Sequence, residues 1–242
     1  MRATIRRELR ALALTLYSRR APDDPVFVIT PMPRSGSTLL VSYLNSLPGV
    51  TIAGEPLNHQ TSIGIRRRFV TSKQAIRHLA GTIGHLDGIV RGAKLVGGQL
   101  ETRGITINDL SARFPRSRLI VIFRESILSQ FVSLVVARAT REWAGQDEFD
   151  GRITISLSDF NNFLEDHRRR HQQALSAEAL IISYEQLVAE PQAVFAERIC
   201  PFIGIAYSPV STPLDKRIRR PISEVITNWD EISHLTNLKL SN

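Results

Sequence analysis

Short apolar runs alternate along the chain with stretches whose apolar residues recur every three or four positions. The short runs predict strands, and the longer periodic stretches predict helices. The predicted strands are Val26–Ile29, Val50–Ala53, Ile89–Leu95, Leu119–Phe123 and Ala179–Ser183. The predicted helices are Thr38–Leu47, Ile65–Ile83, Ile107–Phe114, Ile127–Thr140, Leu157–Ala177 and Tyr184–Ile203, the last broken at Pro191. This alternation predicts an α/β fold with three layers, in which helices flank a central parallel sheet.

The length of 242 residues, with no internal repeat and no long linker, predicts a single domain over residues 1–242. Residues 1–20 place apolar residues at helical spacing among six arginines. We expect a basic amphipathic helix there that packs on the domain or on a partner chain, with peripheral membrane contact as the alternative. Its apolar run is too short for a signal peptide or a membrane span. Residues 141–156 are polar and lack a clear period, so we expect a mobile insertion.

The chain is basic, with 31 lysines and arginines against 23 acidic residues and a net charge of +8. Such a surface suits a nucleic acid, an anionic membrane or a small, multiply charged anion. Cys200 is the only cysteine and is expected to be buried, so no intrachain disulfide can form. His167 and His171 lie four residues apart beside Arg168–Arg170, whose charge would repel a metal cation, and we expect them on a solvated helix face.

The segment from Pro31 to Thr38 has the order of a phosphate-binding loop, since it joins a predicted strand to the start of a helix. The backbone N–H groups of such a turn and helix start attract anions. Against the nucleotide pattern GxxxxGK[ST], Gly36 and Thr38 match, Ser37 stands at the lysine and Pro31 at the first glycine. The positive charge lies upstream, at Arg34. The loop is therefore suited to a phosphate-like anion, but differs from that of a kinase or GTPase.

The strand Leu119–Phe123 ends in Arg124, where nucleotide hydrolases typically place an aspartate for magnesium. Arginine binds phosphate through charge-assisted hydrogen bonds and repels a metal ion. This residue makes ATP hydrolysis a poor fit. The alternative for Arg124 is a structural salt bridge to a carboxylate such as Glu125.

The sequence Pro33-Arg34-Ser35-Gly36-Ser37-Thr38 after a strand resembles the 5′-phosphosulfate loop of PAPS-dependent sulfotransferases. The most similar branch is bacterial and acts on carbohydrates and lipids, with nodulation, lipopolysaccharide and trehalose-type enzymes. The resemblance implies a P-loop-like fold and binding of the donor PAPS by Arg34, Ser35, Gly36, Ser37 and Thr38.

Three further matches extend the resemblance over residues 25–235. Arg124 and Ser133 are similar to the arginine and serine that bind the 3′-phosphate, with Ser129 as a substitute for Ser133. The run from Ile181 to Leu187 is similar to the segment whose tyrosine, here Tyr184, approaches the adenine. The segment from Arg217 to Asp230 looks like the closing segment that returns basic residues over the cofactor. The resemblance thus makes Arg219 and Arg220 further candidates for the 3′-phosphate.

Glu55 is the best candidate for the general base that sulfuryl transfer to a hydroxyl needs. It is the only acidic residue between Pro25 and Leu86, and it lies on a turn past a short strand. His59 is the second candidate. Lys94 and Gln99 lie at the end of another predicted strand in a run that resembles bacterial relatives, and Lys94 could meet the transferring group or the acceptor.

Together these features predict a cytoplasmic, PAPS-dependent sulfotransferase that acts on a carbohydrate or glycolipid without a metal. We expect no nucleic-acid partner and no transmembrane segment, and a homo-oligomer stays open. The alternatives are a non-catalytic anion- or nucleic-acid-binding protein and a P-loop small-molecule kinase. Aromatic residues make up only 7% of the chain and fall mainly at expected core positions, which disfavours the nucleic-acid reader.

Overall fold

The computed structural model describes residues 9, 13, 22–65, 70–143, 148–175, 178–215 and 218–238. All but two residues of the predicted N-terminal helix, 1–20, lie outside this range. Five strands form one sheet: β1 (Val26–Thr30), β2 (Val50–Ala53), β3 (Val90–Val96), β4 (Arg118–Phe123) and β5 (Ala179–Ser183). Their order across the sheet is β2-β3-β1-β4-β5, and every pair is parallel.

Helices follow the strands and cover both faces of the sheet. The α-helices are α1 (Ser37–Leu44), α2 (Ser72–Gly84), α3 (Gly97–Thr102), α4 (Ile107–Arg113), α5 (Ile127–Thr140), α6 (Leu157–Leu175), α7 (Tyr184–Ala189), α8 (Pro191–Val194), α9 (Cys200–Ile203), α10 (Ile222–Val225) and α11 (Trp229–Ile232). A π-helical turn, Phe195–Ile199, joins α8 to α9, and a 3₁₀ turn, Ser233–Asn237, follows α11. The predicted α/β fold with a central parallel sheet between helices is confirmed.

The central strand β1 explains why the sheet is buried on both sides. All five of its residues are buried, and alternate side chains enter different cores. Phe27 and Ile29 pack with α2 and α4, whereas Val26 and Val28 pack with α1 and the π-helical turn. A strand with two apolar faces needs a helical layer on each, which gives the three layers.

A third apolar cluster corrects the expectation of a mobile insertion over 141–156. Residues 144–147 lie outside the described range, but Ile153 and Ile155 are buried among side chains of α5 and α6. Ile153 forms a parallel bridge to Ile226: its N–H donates to the carbonyl of Val225 at 2.8 Å, and its carbonyl accepts from Thr227 at 2.8 Å. This part of the segment is therefore core, and it ties the C-terminal region to the domain.

The expectation that His167 and His171 lie on a solvated face is also wrong. Their exposed fractions are 1% and 3%. Both rings lie on the buried side of α6, where His167 packs edge-on against Phe163 and His171 against Phe123 at the end of β4. Arg168 and Arg169, which lie between the two histidines in sequence, are exposed and so lie on the other side of the helix. No described helix is both long and apolar enough to cross a membrane.

Candidate active site

The loop after β1 has a fixed and unusual backbone. The hydroxyls of Thr30 and Ser35 both donate to the carbonyl of Met32, each at 2.7 Å. Arg34 has φ 67° and Gly36 has φ 90°, both in the left-handed region. Gly36 is the N-cap of α1, and no side chain within the described ranges caps this helix. The first N–H groups of α1 are therefore available to an anion.

Tyr184, at the carboxyl end of β5, covers Gly36. A Cβ atom built on Gly36 would come within 2.4 Å of the Tyr184 ring. The glycine thus serves two needs, a left-handed backbone and close approach to an aromatic ring.

A cavity of about 370 Å³ opens at this carboxyl edge of the sheet, between β1 and β4 and their helices. The edge is the place where parallel α/β sheets bind ligands when the strand order reverses, as it does at β1. Predicted site residues that line the cavity are Arg34, Gly36, Ser37, Thr38, Arg124, Ser129, Ser133, Tyr184 and Arg220. The sequence thus identified much of one wall, and the structure brings these residues together.

Arg124 is a buried cation with incomplete pairing. Its side chain is 13% exposed, and Nε makes no hydrogen bond to any described residue. Its guanidinium carbon lies 4.7 Å from the centre of the Tyr184 ring, and Glu185 Oε1 is 3.8 Å from Nε. Burial lowers the pKa of Arg124, and the charges of Tyr184 and Glu185 oppose that shift. The salt bridge that was the alternative for Arg124 therefore exists with Glu185, not Glu125, but at 3.8 Å it leaves the guanidinium incompletely paired where Arg124 lines the cavity.

Arg34 is held against α5 and the segment that follows it. Its Nε donates to the hydroxyl of Ser133 at 3.0 Å, and its Nη1 donates to the carbonyl of Trp143. Trp143 also lines the cavity and is half exposed. Arg34 thereby joins the loop to the helix that carries the predicted phosphate-binding serine.

Glu55, Lys94 and Thr38 form a chain of contacts beside the cavity. Lys94 Nζ lies 2.8 Å from Glu55 Oε1 and donates to Thr38 Oγ1 at 3.0 Å. Strand pairing sets this geometry, because the N–H of Lys94 also donates to the carbonyl of Gly54, next to Glu55. Thr38 lines the cavity, so the chain connects the loop after β2 with the cavity wall.

The second oxygen of Glu55 is also engaged. Oε2 accepts from Asn58 Nδ2 at 2.9 Å and from Gln99 Nε2 at 2.6 Å. Burial by itself would raise the pKa of Glu55, but the charge of Lys94 and these hydrogen bonds outweigh it and lower the pKa. Glu55 is therefore ionised at neutral pH and can accept a proton.

Of the remaining predicted residues, Ser35, His59 and Arg219 lie away from the cavity wall, whereas Arg220 lies on it. The Ser35 side chain is 1% exposed and faces the core behind the loop. His59 lies past the Glu55 turn and does not line the cavity, and Arg219 is exposed and paired with Asp215 and Glu148. Arg220 lines the cavity while donating to the backbone carbonyls of residues 150 and 151.

Gln130 and Trp143 are site residues to which the sequence assigned no role. Gln130 is fully buried and bonds to the loop, and Trp143 approaches Arg34 through its backbone. A backbone contact leaves no trace in residue identity. A polar residue inside the apolar face of α5 was a usable signal for Gln130.

The site is unsuited to the metal chemistry of P-loop nucleotide enzymes. In those enzymes the hydroxyl that corresponds to Thr38 binds magnesium. Here that hydroxyl accepts a hydrogen bond from the Lys94 ammonium, and a second cation at the same place would be repelled. Within the described ranges, no three histidine, cysteine or acidic residues are grouped as metal ligands.

Known proteins resemble this chain both in sequence and in fold. A model of the "Sulfotransferase family" matches residues 105–209, which hold Arg124, Ser133 and Tyr184 but not the loop after β1. Nodulation protein H of Rhizobium meliloti (strain 1021) is 25% identical over 235 residues, covering 89% of this chain and 93% of that protein.

Two solved structures are similar. A sulfotransferase from Alicyclobacillus acidocaldarius has a TM-score of 0.52 at 14% identity, over 88% of this chain and 91% of that one. Mouse sulfotransferase SULT7A1, solved with PAP, has a TM-score of 0.44 at 15% identity, and the match covers 82% of this chain and 64% of that protein. The chain is thus similar to sulfotransferases in the sequence of residues 105–209 and, at lower identity, over most of its length, and it shares its fold with a solved sulfotransferase.

Proposed function

We propose that the protein transfers a sulfuryl group from PAPS to a hydroxyl of a carbohydrate or glycolipid. The observation that carries the donor assignment is Arg124, a buried and incompletely paired guanidinium that lines a cavity whose other wall is the start of α1, where no described side chain caps the helix. A ligand with two separate anionic groups would satisfy both features at once. PAPS has this chemistry, with a 5′-phosphosulfate and a 3′-phosphate.

The residues of the cavity suggest how the donor would be held. Arg34, Gly36 and the first turn of α1 would bind the 5′-phosphosulfate through backbone N–H groups and one guanidinium. Arg124 and Ser133 would bind the 3′-phosphate, with Ser129 and Arg220 on the same cavity wall. Exposed Arg219 is a weaker candidate, because acidic residues already pair with it.

Tyr184 is proposed to contact the adenine. Its ring covers Gly36 and lies beside Arg124, so it stands between the two proposed anion sites. A flat aromatic surface there suits a purine.

The donor would supply an activated sulfuryl group, which the oxygen of the acceptor hydroxyl takes up as the bond to the leaving phosphate breaks. The acceptor must lose its proton in this step, and Glu55 is the proposed base because it is ionised at neutral pH. Lys94 would stabilise the negative charge that develops beside Thr38. His59, on the same turn, remains the alternative base.

The acceptor class is proposed from the motif resemblance to the bacterial carbohydrate and lipid branch. The loop that carries Glu55 does not line the donor cavity, and it would form part of the binding site for the acceptor. The cytoplasmic location remains a prediction from the sequence, which fractionation of cells that express the protein would test.

Thermal unfolding with a panel of nucleotides tests the donor assignment. We expect PAP to raise the melting temperature more than ADP at equal concentration, and to do so equally in EDTA and in magnesium. A ligand at 100 times its Kd adds about 2.7 kcal/mol of stability. Equal shifts from PAP and ADP would remove the role of Arg124. A larger shift from ATP or GTP with magnesium would favour a kinase.

A further inference from the structure

One buried amide contacts the phosphate-binding loop on both sides of Arg34. Gln130 on α5 is fully buried. Its Nε2 donates to the carbonyl of Pro33 at 2.8 Å and to the hydroxyl of Ser35 at 2.8 Å. The Ser35 hydroxyl in turn donates to the carbonyl of Met32. The two hydrogens of a single amide group therefore fix the residues before and after Arg34.

The next contact behind Gln130 is His167 on α6. Its Nε2 lies 2.9 Å from Gln130 Oε1. The carbonyl of Pro33 can only accept, so the amide nitrogen of Gln130 must face the loop and its oxygen must face His167. That oxygen can only accept in turn, which fixes the His167 tautomer with its proton on Nε2. Each group therefore donates to the next one: His167 Nε2 donates to Gln130, and the Gln130 amide donates to the loop.

The loop needs support at this point because Arg34 has a left-handed backbone. A residue with a Cβ atom at φ 67° is strained, and such a conformation persists where its surroundings determine it. Gln130 holds the flanking residues, and Ser133, one turn along α5, accepts from the Arg34 side chain. Helix α5 thus fixes both the backbone and the side chain of Arg34.

We propose that Gln130 and His167 are positioning residues for the donor site, which hold the phosphate-binding loop in the conformation that receives the donor. The proposal rests on the proposed function for the identity of the donor. It concerns the loop itself, however, and predicts an effect in the protein without nucleotide. Neither residue touches the cavity, so they act through Pro33 and Ser35.

Three single variants test the proposal. His167→Asn shortens the side chain and withdraws the donor from Gln130. His167→Gln keeps an amide N–H near the place of Nε2. The matched control is His171→Asn, because His171 is equally buried on the same helix and neither of its ring nitrogens bonds to a described residue. Loss of the contact leaves the buried Gln130 Oε1 without a donor, which should change the equilibrium for PAP binding on the order of tenfold.

We expect His167→Asn to weaken PAP binding and raise the donor KM about tenfold, with the acceptor KM unchanged. Amide hydrogen exchange in residues 34–37 of the nucleotide-free protein should rise by a similar factor. His167→Gln should stay within about threefold of the wild type in both measurements, and His171→Asn should match the wild type. Should His167→Asn not fold, Gln130→Met, which removes the amide but keeps the length, is measured instead with the same expectations.

Two results would overturn the proposal: unchanged exchange and PAP affinity in His167→Asn, or an equal loss in His171→Asn. The first means that the loop holds itself, and the second means that the histidines act only through stability. Failure of the proposed function differs from both, since the wild type would then not bind PAP while the exchange difference at residues 34–37 persisted.

Discussion

Replacing Arg124 by Met tests the donor site most directly. Methionine keeps an unbranched side chain of similar reach and removes the guanidinium. A hydrogen bond to a charged partner contributes about 1.5–3 kcal/mol, so PAP should bind roughly 10- to 150-fold more weakly. ADP lacks the 3′-phosphate, and its affinity should change by less than about threefold. The ratio of the two affinities, not either one alone, reports on Arg124.

The same change should leave the fold intact. Glu185 loses a partner whose nearest nitrogen was 3.8 Å away, but its carboxylate still accepts from the backbone N–H groups of Glu125 and Ser126 at 3.0 and 3.4 Å. The loss of a cation–π contact with Tyr184 is opposed by removal of a poorly paired buried charge. We therefore expect the melting temperature without ligand to move by no more than about 2–4 °C, or about 1 kcal/mol.

Calorimetric titration of PAP and ADP into the two proteins provides the affinities, and thermal unfolding at fixed PAP provides a check. PAP at 100 times the wild-type Kd stabilises that protein by about 2.7 kcal/mol, but a variant with a 100-fold weaker site by only about 0.4 kcal/mol. The control is Arg116→Met, since that side chain is 70% exposed and its ion pair among the described residues is with Asp23 at 3.4 Å. If Arg124→Met bound PAP and ADP with the wild-type ratio, the buried guanidinium would not be a phosphate ligand.

Three further changes have defined outcomes. Glu55→Gln cannot take a proton and should lower turnover on the order of 10²–10⁴-fold with PAP affinity unchanged, whereas near-normal turnover together with an inactive His59→Asn would make the histidine the base. Gly36→Ala places a Cβ atom against the Tyr184 ring at a left-handed backbone position. The affinity for PAP in titrations should therefore fall by at least tenfold, on the order of 1.4 kcal/mol. An unchanged affinity would contradict the packing of Tyr184 on Gly36. Burial lowers the pKa of His167 from 6.5 to about 4. Between these pH values the histidine binds a proton in the unfolded chain but not in the folded protein, so the free energy of unfolding should fall by about 3 kcal/mol from pH 6.5 to pH 4. His167→Gln should remove this pH dependence in denaturant titrations.

The sequence predicted the parts of the structure that are set by local pattern. The five strands lie where apolar runs occur, and helix α5 begins and ends at the predicted residues. The loop after β1 was predicted from its phosphate-loop pattern, and Arg124 from the rule that the strand ends of a parallel sheet share one edge; Arg34, Gly36 and Arg124 all line the cavity. Helix α3 was not predicted, since its six residues, Gly97–Thr102, begin with two glycines and are too few for a periodic signal.

The errors arose where tertiary packing decides the outcome. The charge of Arg168–Arg170 suggested a solvated face for the two histidines, yet His167 and His171 continue the spacing of Phe160, Phe163 and Leu164 along α6. That spacing was the available signal for burial. Similarly, Ile153-Thr154-Ile155 alternates with the period of a strand, but its pairing partner, the segment at Ile226, lies over 70 residues away along the chain.

The chain of contacts from Glu55 through Lys94 to Thr38 makes a last prediction about proton transfer. The charge of Lys94 is the strongest of the effects that lower the pKa of Glu55, and it acts against the burial that would raise it. Without that charge, burial has less opposition, so Lys94→Met should raise the pKa of Glu55. If Glu55 is the base, turnover is lost at low pH when Glu55 becomes protonated. The acidic limb of the pH–rate profile should therefore move to higher pH.

The control for this prediction is Gln99→Met, which removes one neutral hydrogen bond to Glu55 Oε2 and leaves the ion pair in place. It should shift the acidic limb in the same direction but less, because the charged partner contributes more than the amide. Lys94→Met should also reduce the maximal rate, since it removes a positive charge beside Thr38, whereas Gln99→Met should not. An acidic limb that stays in place in Lys94→Met would mean that the limb reports another group, and Glu55 would then be a residue that holds Lys94 in position and not the base.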